Sequence, residues 1–282
     1  LVEDIDAGTG NITLQATGAI NLTTGDLITD GGTVLVQADT DLDGSGDITF
    51  SAVTSVADTK IRSGSGTIQL EGENIIVADY SALTTGELKV RAGVGTSSNG
   101  EIYSTSSANN ISDISSGSFD LEANGAGIGQ SGGTTLEILS TGQVDVEADG
   151  DIHLTNLSTD TFKVGSIDSG TNNVTLITDN GITDDTGSGS DAATDVIGST
   201  LTISGQNTSG SAGLITLDTA VTNLDLKGAA ITIHDGDDVN INSISATGHF
   251  EIEASGAITQ SVSGSIDADS TASFNSGSSN II

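Results

Sequence analysis

"NITLQATGAI" (residues 11–20), "QVDVEADGDI" (143–152) and "HFEIEASGAI" (249–258) are one pattern written three times. Each reads polar, apolar, polar, apolar, polar, Ala, polar, Gly, small or Asp, Ile. Apolar residues at i and i+2 place two side chains on one face of a β-strand. Ala at i+4 continues that face with a small group suited to a bend. The Gly two residues later supplies a turn, and the Ile after it opens the next strand. One such unit cannot bury its apolar face, whereas stacked copies can.

Looser copies recur along the chain: "TVLVQADTDL" (33–42), "DITFSAVTSV" (47–56), "TIQLEGENII" (67–76), "ELKVRAGVGT" (87–96), "SFDLEANGAG" (118–127) and "NVTLITDNGI" (173–182). Weaker ones start at 200, 214 and 230. The mean step is about 22 residues. The 14-residue steps are read as two strands of one turn, and the 31-residue step from 87 to 118 as one holding a loop. The expected fold is all-β, a right-handed parallel β-helix (β-solenoid) of about 12 irregular rungs, with residues 1–282 as one continuous segment. At ~4.8 Å per rung such a stack is about 60 Å long. Ile12, Leu14, Val144, Val146, Phe250 and Ile252 are predicted inside, and Thr13, Asp145 and Glu251 outside. A sandwich array would need a repeat near 100 residues, which is not present.

Composition agrees. The 282 residues include 38 Gly and no Pro, Cys, Met or Trp. At average usage about 14 prolines are expected. Proline is excluded from central strands, so a chain of paired strands has no place for it. Without Cys there are no disulfides and no thiolate metal sites. The formal charge of −33, from 39 acids against 6 Lys and Arg, argues against nucleic acid and anionic membranes as partners and favours divalent cations. No apolar run reaches the ~18 residues of a membrane-spanning helix. A chain starting at Leu1 is read as a processed product or a piece of a longer one.

"GNITLQATGAINL" (10–22), "GQVDVEADGDIHL" (142–154) and "FEIEASGAITQSVSGSIDADSTASFNSG" (250–277) resemble the repeats of filamentous haemagglutinin-type adhesins and related giant bacterial surface proteins. The resemblance runs from about Ile12 to Phe274. It implies an extracellular β-helix, exported across a Gram-negative outer membrane, that acts as a long stalk or adhesive fibre. This chain is then expected to be the middle of such a rod.

"DTDLDGSGD" (39–47) is the main candidate site. Asp39, Asp41, Asp43 and Asp47 occupy positions 1, 3, 5 and 9 of a calcium loop, with Gly44 at the turn position 6. Phe50 stands where the closing bidentate Glu belongs. The expected ligands of one calcium ion are Asp39, Asp41, Asp43, Asp47, the backbone carbonyl of Ser45 and water. Such a loop resembles the calcium loops of dockerin-type and thrombospondin-type repeats. The plainer alternative is an acidic turn, since Asp and Gly dominate turns.

Other sites are weaker. His234, Asp235, Asp237 and Asp238 could hold a transition metal, but side chains adjacent on a turn diverge. Asp179, Asp184, Asp185 and Asp191 fall in a Gly/Ser-rich stretch read as a loop. Lys60 with Arg62, and Lys89 with Arg91, share strand faces and are read as an exposed basic stripe stacked in neighbouring rungs. Tyr80 and Tyr103 are too far apart in sequence to suggest a sugar platform. No acid/base or nucleophile constellation stands out, so no catalysis is expected. The function read from these features is a structural or adhesive stalk of a secreted or cell-surface fibre. Its expected partners are other copies or flanking segments end to end, and a surface receptor or polysaccharide. The alternatives are a filament subunit and a carbohydrate-active or carbohydrate-binding β-helix.

Overall fold

The structure is a computed structural model that describes residues 3–94, 99–106, 110–129, 135–184, 194–206, 210–277 and 280–281. Among these the protein is all-β, with one 3-10 turn at Val56–Asp58 and no α-helix. The chain forms two compact units: Leu1–Gly142 with Val146–Leu157, and Gln143–Asp145 with Ser158–Ile282.

In the first unit the strands fall into three parallel ladders. Ladder A runs Ile5–Asp6, Leu27–Ile28, Ile61–Arg62, Ala82–Leu83, Ile114–Ser116, Leu136–Ser140. Ladder B runs Ile12–Gln15, Val34–Gln37, Ile68–Gly72, Glu87–Ala92, Ser118–Ala123. Ladder C runs Ile20–Leu22, Ile48–Phe50, Ile75–Val77, Gly100–Ser104, Gly125–Ile128, Ile152–Asn156, and that last strand also continues ladder A, its residues 154–156 pairing with residues 136–138. The chain visits A, B and C in order and returns to A one strand further along.

Ile12 meets Val34, Val34 meets Ile68, Ile68 meets Leu88 and Leu88 meets Phe119. Those four returns take 22, 34, 20 and 31 residues. The mean is therefore about 27 here, longer than the step read from the sequence. The reason is that strands of both B and C carry the alternating pattern: "TVLVQADTDL" and "DITFSAVTSV" lie in one circuit. The 14-residue step between them does hold two strands of one turn.

The alternation decides what is buried. Ile20, Ile48, Ile75, Ile102, Ile128 and Ile152 stack in register along ladder C, all buried. Val36, Leu70, Val90 and Leu121 do the same in ladder B. Each such side chain contributes on the order of 1.5–3 kcal/mol relative to exposure. Ala38, Ala92 and Ala123 fill the bend and are buried, as the pattern predicts. Leu14 is only half-buried, unlike Ile12. Among the described residues its strand pairs on one side only, with Val34–Gln37.

Glycine is required just before ladder B. A Cβ on Gly32 would sit 2.0 Å from the Gly10 carbonyl oxygen, and one on Gly66 would sit 2.0 Å from that of Gly32. Successive circuits touch backbone to backbone at this corner.

The second unit uses longer strands, again all parallel. Val196–Ser204 pairs with Phe162–Asp168, Val174–Ile177 and Ala212–Asp235. Ala212–Asp235 also pairs with Ile182–Asp184, Val239–Ala246 and Phe250–Ala254. Beyond them, Val239–Ala246 pairs with Ile258–Ala268, and Phe250–Ala254 with Ala272–Asn275. Phe250 and Ile252 are buried here and Glu251 exposed; on the strand Gln143–Ala148, whose residues are divided between the two units, Val144 and Val146 are buried and Asp145 half-buried. Phe250 and Phe274 meet edge to face, with ring centres 5.5 Å apart.

Candidate metal centres and polar ladders

The loop after Val34–Gln37 turns sharply because Asp39 and Leu42 adopt left-handed conformations, as does Gly44. Asp39 is buried and organises the loop. Its Oδ1 accepts the Asp43 N–H at 3.0 Å and its Oδ2 accepts the Gly44 N–H at 3.0 Å. The Thr40 N–H binds the Ala16 carbonyl of the preceding circuit at 3.1 Å. Carboxylate oxygens of Asp39, Asp41 and Asp43 lie within 4.8 Å of one another, a spacing that a hard divalent cation can bridge. Asp41 and Asp43 are exposed, so such an ion would have access from solvent. The structure does not bring Asp47 to this group. Asp47 Oδ1 accepts the Asn74 N–H at 3.1 Å and Asn74 Nδ2–H at 2.9 Å. Ser45 Oγ donates to Asp43 Oδ1, while nothing places its carbonyl at the group.

A second cluster has no counterpart in the sequence reading. Asp184, Asp195 and Asp218 are all buried, and carboxylate oxygens of the three also lie within 4.8 Å. Asp184 is thus at the end of a buried strand and not in a loop; Asp185 and Asp191 lie outside the described residues. Asp195 Oδ2 accepts the Asp218 N–H at 2.8 Å, and Asp218 Oδ1 lies 3.0 Å from His234 Nδ1.

That contact separates His234 from its sequence neighbours. Asp235 Oδ2 accepts Thr219 Oγ1–H at 2.7 Å and the Val221 N–H at 3.2 Å, while its Oδ1 accepts the Asp237 N–H at 3.0 Å. Burial pushes the Asp235 carboxyl above the ordinary carboxylate range. Asp238 Oδ1 binds the Ala257 N–H at 2.6 Å. The side chains diverge: His234 and Asp235 end the strand Ala212–Asp235, where neighbours point to opposite faces.

The cations do not form the expected stripe. Arg62 stands in ladder A opposite Ile28 and Leu83, whereas Lys89 and Arg91 stand in ladder B opposite Gln69 and Glu71. Lys60 is buried against Asp26 at 3.0 Å. Lys89 reaches Glu87 at 3.2 Å and Asp120 at 3.5 Å; Arg91 reaches Asp120 at 3.5 Å and Glu122 at 3.1 Å. The Glu87 hydrogen bond above all raises the Lys89 pKa. These pairs are solvent-screened and add little individually.

A more general use of the acids emerges from the register. An Asp or Asn side chain repeatedly accepts a backbone N–H from the next circuit. Asp4 takes Asp26 at 3.0 Å, Asn11 takes Thr33 at 2.8 Å, Asn74 takes Glu101 at 3.0 Å and Asp113 takes Glu137 at 2.9 Å. In the second unit Asp179 takes Gln206 at 2.6 Å. Outward side chains bond along the ladder too, Gln15 to Gln37 at 2.6 Å and Gln37 to Glu71 at 2.9 Å. Much of the polar composition therefore joins one circuit to the next.

A family model described as repeats of unknown function (DUF5649) matches residues 228–282. No curated protein and no solved structure matches the chain. No helix among the described residues is long and apolar enough to cross a membrane.

Proposed function

We propose that this chain is a segment of a right-handed parallel β-helix and serves as a structural or adhesive stalk in a secreted or cell-surface fibre. The observation that carries this reading is the ladder order: each strand pairs in parallel with its counterpart one circuit on. Such a stack lengthens by adding circuits, and neighbours alone supply its stability. Outward polar groups are largely committed to adjacent circuits, which suits a scaffold better than a reaction centre. Further copies or flanking segments would continue the stack end to end, and a receptor or polysaccharide would meet its outer face.

Calcium is part of the proposal. Asp39, Asp41 and Asp43 would hold one ion with water completing the shell, and Asp47 is left to its Asn74 contact. Without a bidentate Glu the affinity falls in the range of roughly 10⁻⁴–10⁻³ M. Negative-stain electron microscopy of the isolated protein tests the stalk: narrow rods that lengthen when circuits are added support it, and round particles contradict it. Incubation with neutral and acidic polysaccharides is expected to release no sugar. Turnover lost in Lys89→Ala or Arg91→Ala would replace the stalk with a lyase.

A further inference from the structure

The first unit buries two acids on consecutive strands of ladder A. Asp113 immediately precedes Ile114–Ser116, and Glu137 lies within Leu136–Ser140; each is 1% exposed. Their backbones are joined, the Asp113 N–H to the Glu137 carbonyl at 2.7 Å. Asp113 Oδ2 accepts the Glu137 N–H at 2.9 Å, and its Oδ1 is 2.6 Å from Ser104 Oγ on ladder C. Glu137 Oε1 accepts the Asn110 N–H at 3.0 Å. Among the described residues Asp79, in the circuit before and also an acid, acts on Asp113. No Lys, Arg or His acts on Asp113 among the described residues.

The same segments build a groove. Tyr80, Asn110, Ile111, Ser112, Ser115 and Leu139 are among the residues lining an apolar cavity of about 300 Å³. Ser112 and Ser115 flank Asp113, and Leu139 is two residues from Glu137 on the same strand. Whatever loosens the joint between the two strands therefore alters the groove wall.

We propose that Asp113 and Glu137 form a proton-dependent clasp between consecutive circuits, closed while Asp113 carries a proton and loosened, with the groove above it, when Asp113 ionises. The physical reason is that two buried like charges repel in a medium that screens them poorly. Burial, the largest influence, and the Glu137 and Asp79 charges outweigh the Ser104 and Glu137 N–H hydrogen bonds and move the Asp113 carboxyl up to about 7. Because the folded value is raised, the stabilisation is present in full below the ordinary carboxylate range. It is lost as pH climbs to about 7, and is constant above.

Hydrogen exchange of the Ile114–Ser116 and Leu136–Ser140 amides, corrected for intrinsic rates, reads the clasp directly. Protection is expected to fall about ten-fold between pH 6 and pH 8 in the unsubstituted chain, while ladder B amides change less. Asp113→Asn imitates the protonated acid, its amide donating to Ser104 Oγ and its oxygen accepting the Glu137 N–H. It should keep the acid-side protection across the range. Glu137→Gln should move the transition to lower pH. Protection that is flat with pH, or an Asp113→Asn variant with unchanged pH dependence, overturns the proposal. If the variants do not fold, the Asp113 carboxyl ¹³C shift in the unsubstituted protein still decides. A midpoint near 7 supports the clasp, and a midpoint in the ordinary carboxylate range overturns it.

Discussion

The Asp39 loop and the Asp184–Asp195–Asp218 cluster contain the same chemistry in opposite settings. Both bring three carboxylates within 4.8 Å. The first comes from three acids within five consecutive residues, Asp41 and Asp43 exposed, around a buried Asp39 whose oxygens hold the turn's own N–H groups. The second is assembled from two strands and the residue just before a third, all three acids buried, with Asp195 accepting a backbone N–H from the next strand. Clustered acids in this fold thus serve in two ways, as a local turn-former open to a cation or as a joint between circuits. Burial and register separate the two roles, not residue type.

The largest expected effect attacks the joint. Asp195→Ala removes the acceptor of the buried Asp218 N–H and should destabilise the protein by about 3 kcal/mol in urea unfolding, the upper end for a stranded buried donor. A cost below that of Asp39→Ala would contradict the role of Asp195 as a joint between circuits. Next comes the cation. Calcium at one hundred times its dissociation constant should add about 2.7 kcal/mol through the Asp39 loop. The combined Asp41→Ala and Asp43→Ala substitutions should abolish the calcium-dependent rise in Tm. An equal rise in the double variant would make the loop an acidic turn alone.

Asp39→Ala should cost about 1–2 kcal/mol without calcium, since the Asp43 and Gly44 N–H groups lose their acceptors but lie near solvent. The smallest effect concerns pH. Burial raises the Asp235 carboxyl, so its contribution is fullest below the ordinary carboxylate range and is lost as pH rises through the folded value. Asp235→Asn should therefore unfold with a flatter dependence on pH than the parent. An unchanged slope would show that Asp235 titrates as it does unfolded.

The strands were legible because alternation is local: "QVDVEADGDI" states that Val144 and Val146 face inward, and both are buried. The Asp39–Asp43 group was legible for the same reason, its residues being neighbours in the chain. Asp47 was misplaced because its partner, Asn74, belongs to the next circuit, 27 residues away. The Asp113–Glu137 and Asp195–Asp218 joints span 24 and 23 residues, and the returns along ladder B vary from 20 to 34, so no fixed period finds such pairs. A signal was present nonetheless. Glu137 lies between Leu136 and Ile138, and Asp113 and Asp195 directly precede the inward-facing Ile114 and Val196. An acid pressed against buried apolar residues marks a place where a carboxylate faces another circuit.

The buried Asp184–Asp195–Asp218 cluster and every joint depend on one claim, that successive circuits pair in parallel in this register. Because the chain has no cysteine, a single introduced pair reports on it without interference. Thr202 and Asp225 are register partners on the strands Val196–Ser204 and Ala212–Asp235, which follow Asp195 and contain Asp218. Thr202→Cys with Asp225→Cys should form a disulfide readily on mild oxidation, since register neighbours stand within bonding reach. Thr202→Cys with Asn223→Cys, displaced by two residues along the strand, should form it poorly. Efficient crosslinking of 202 to 225 and little of 202 to 223 is the result predicted; the reverse preference, or none, would contradict the parallel register and the circuits built on it.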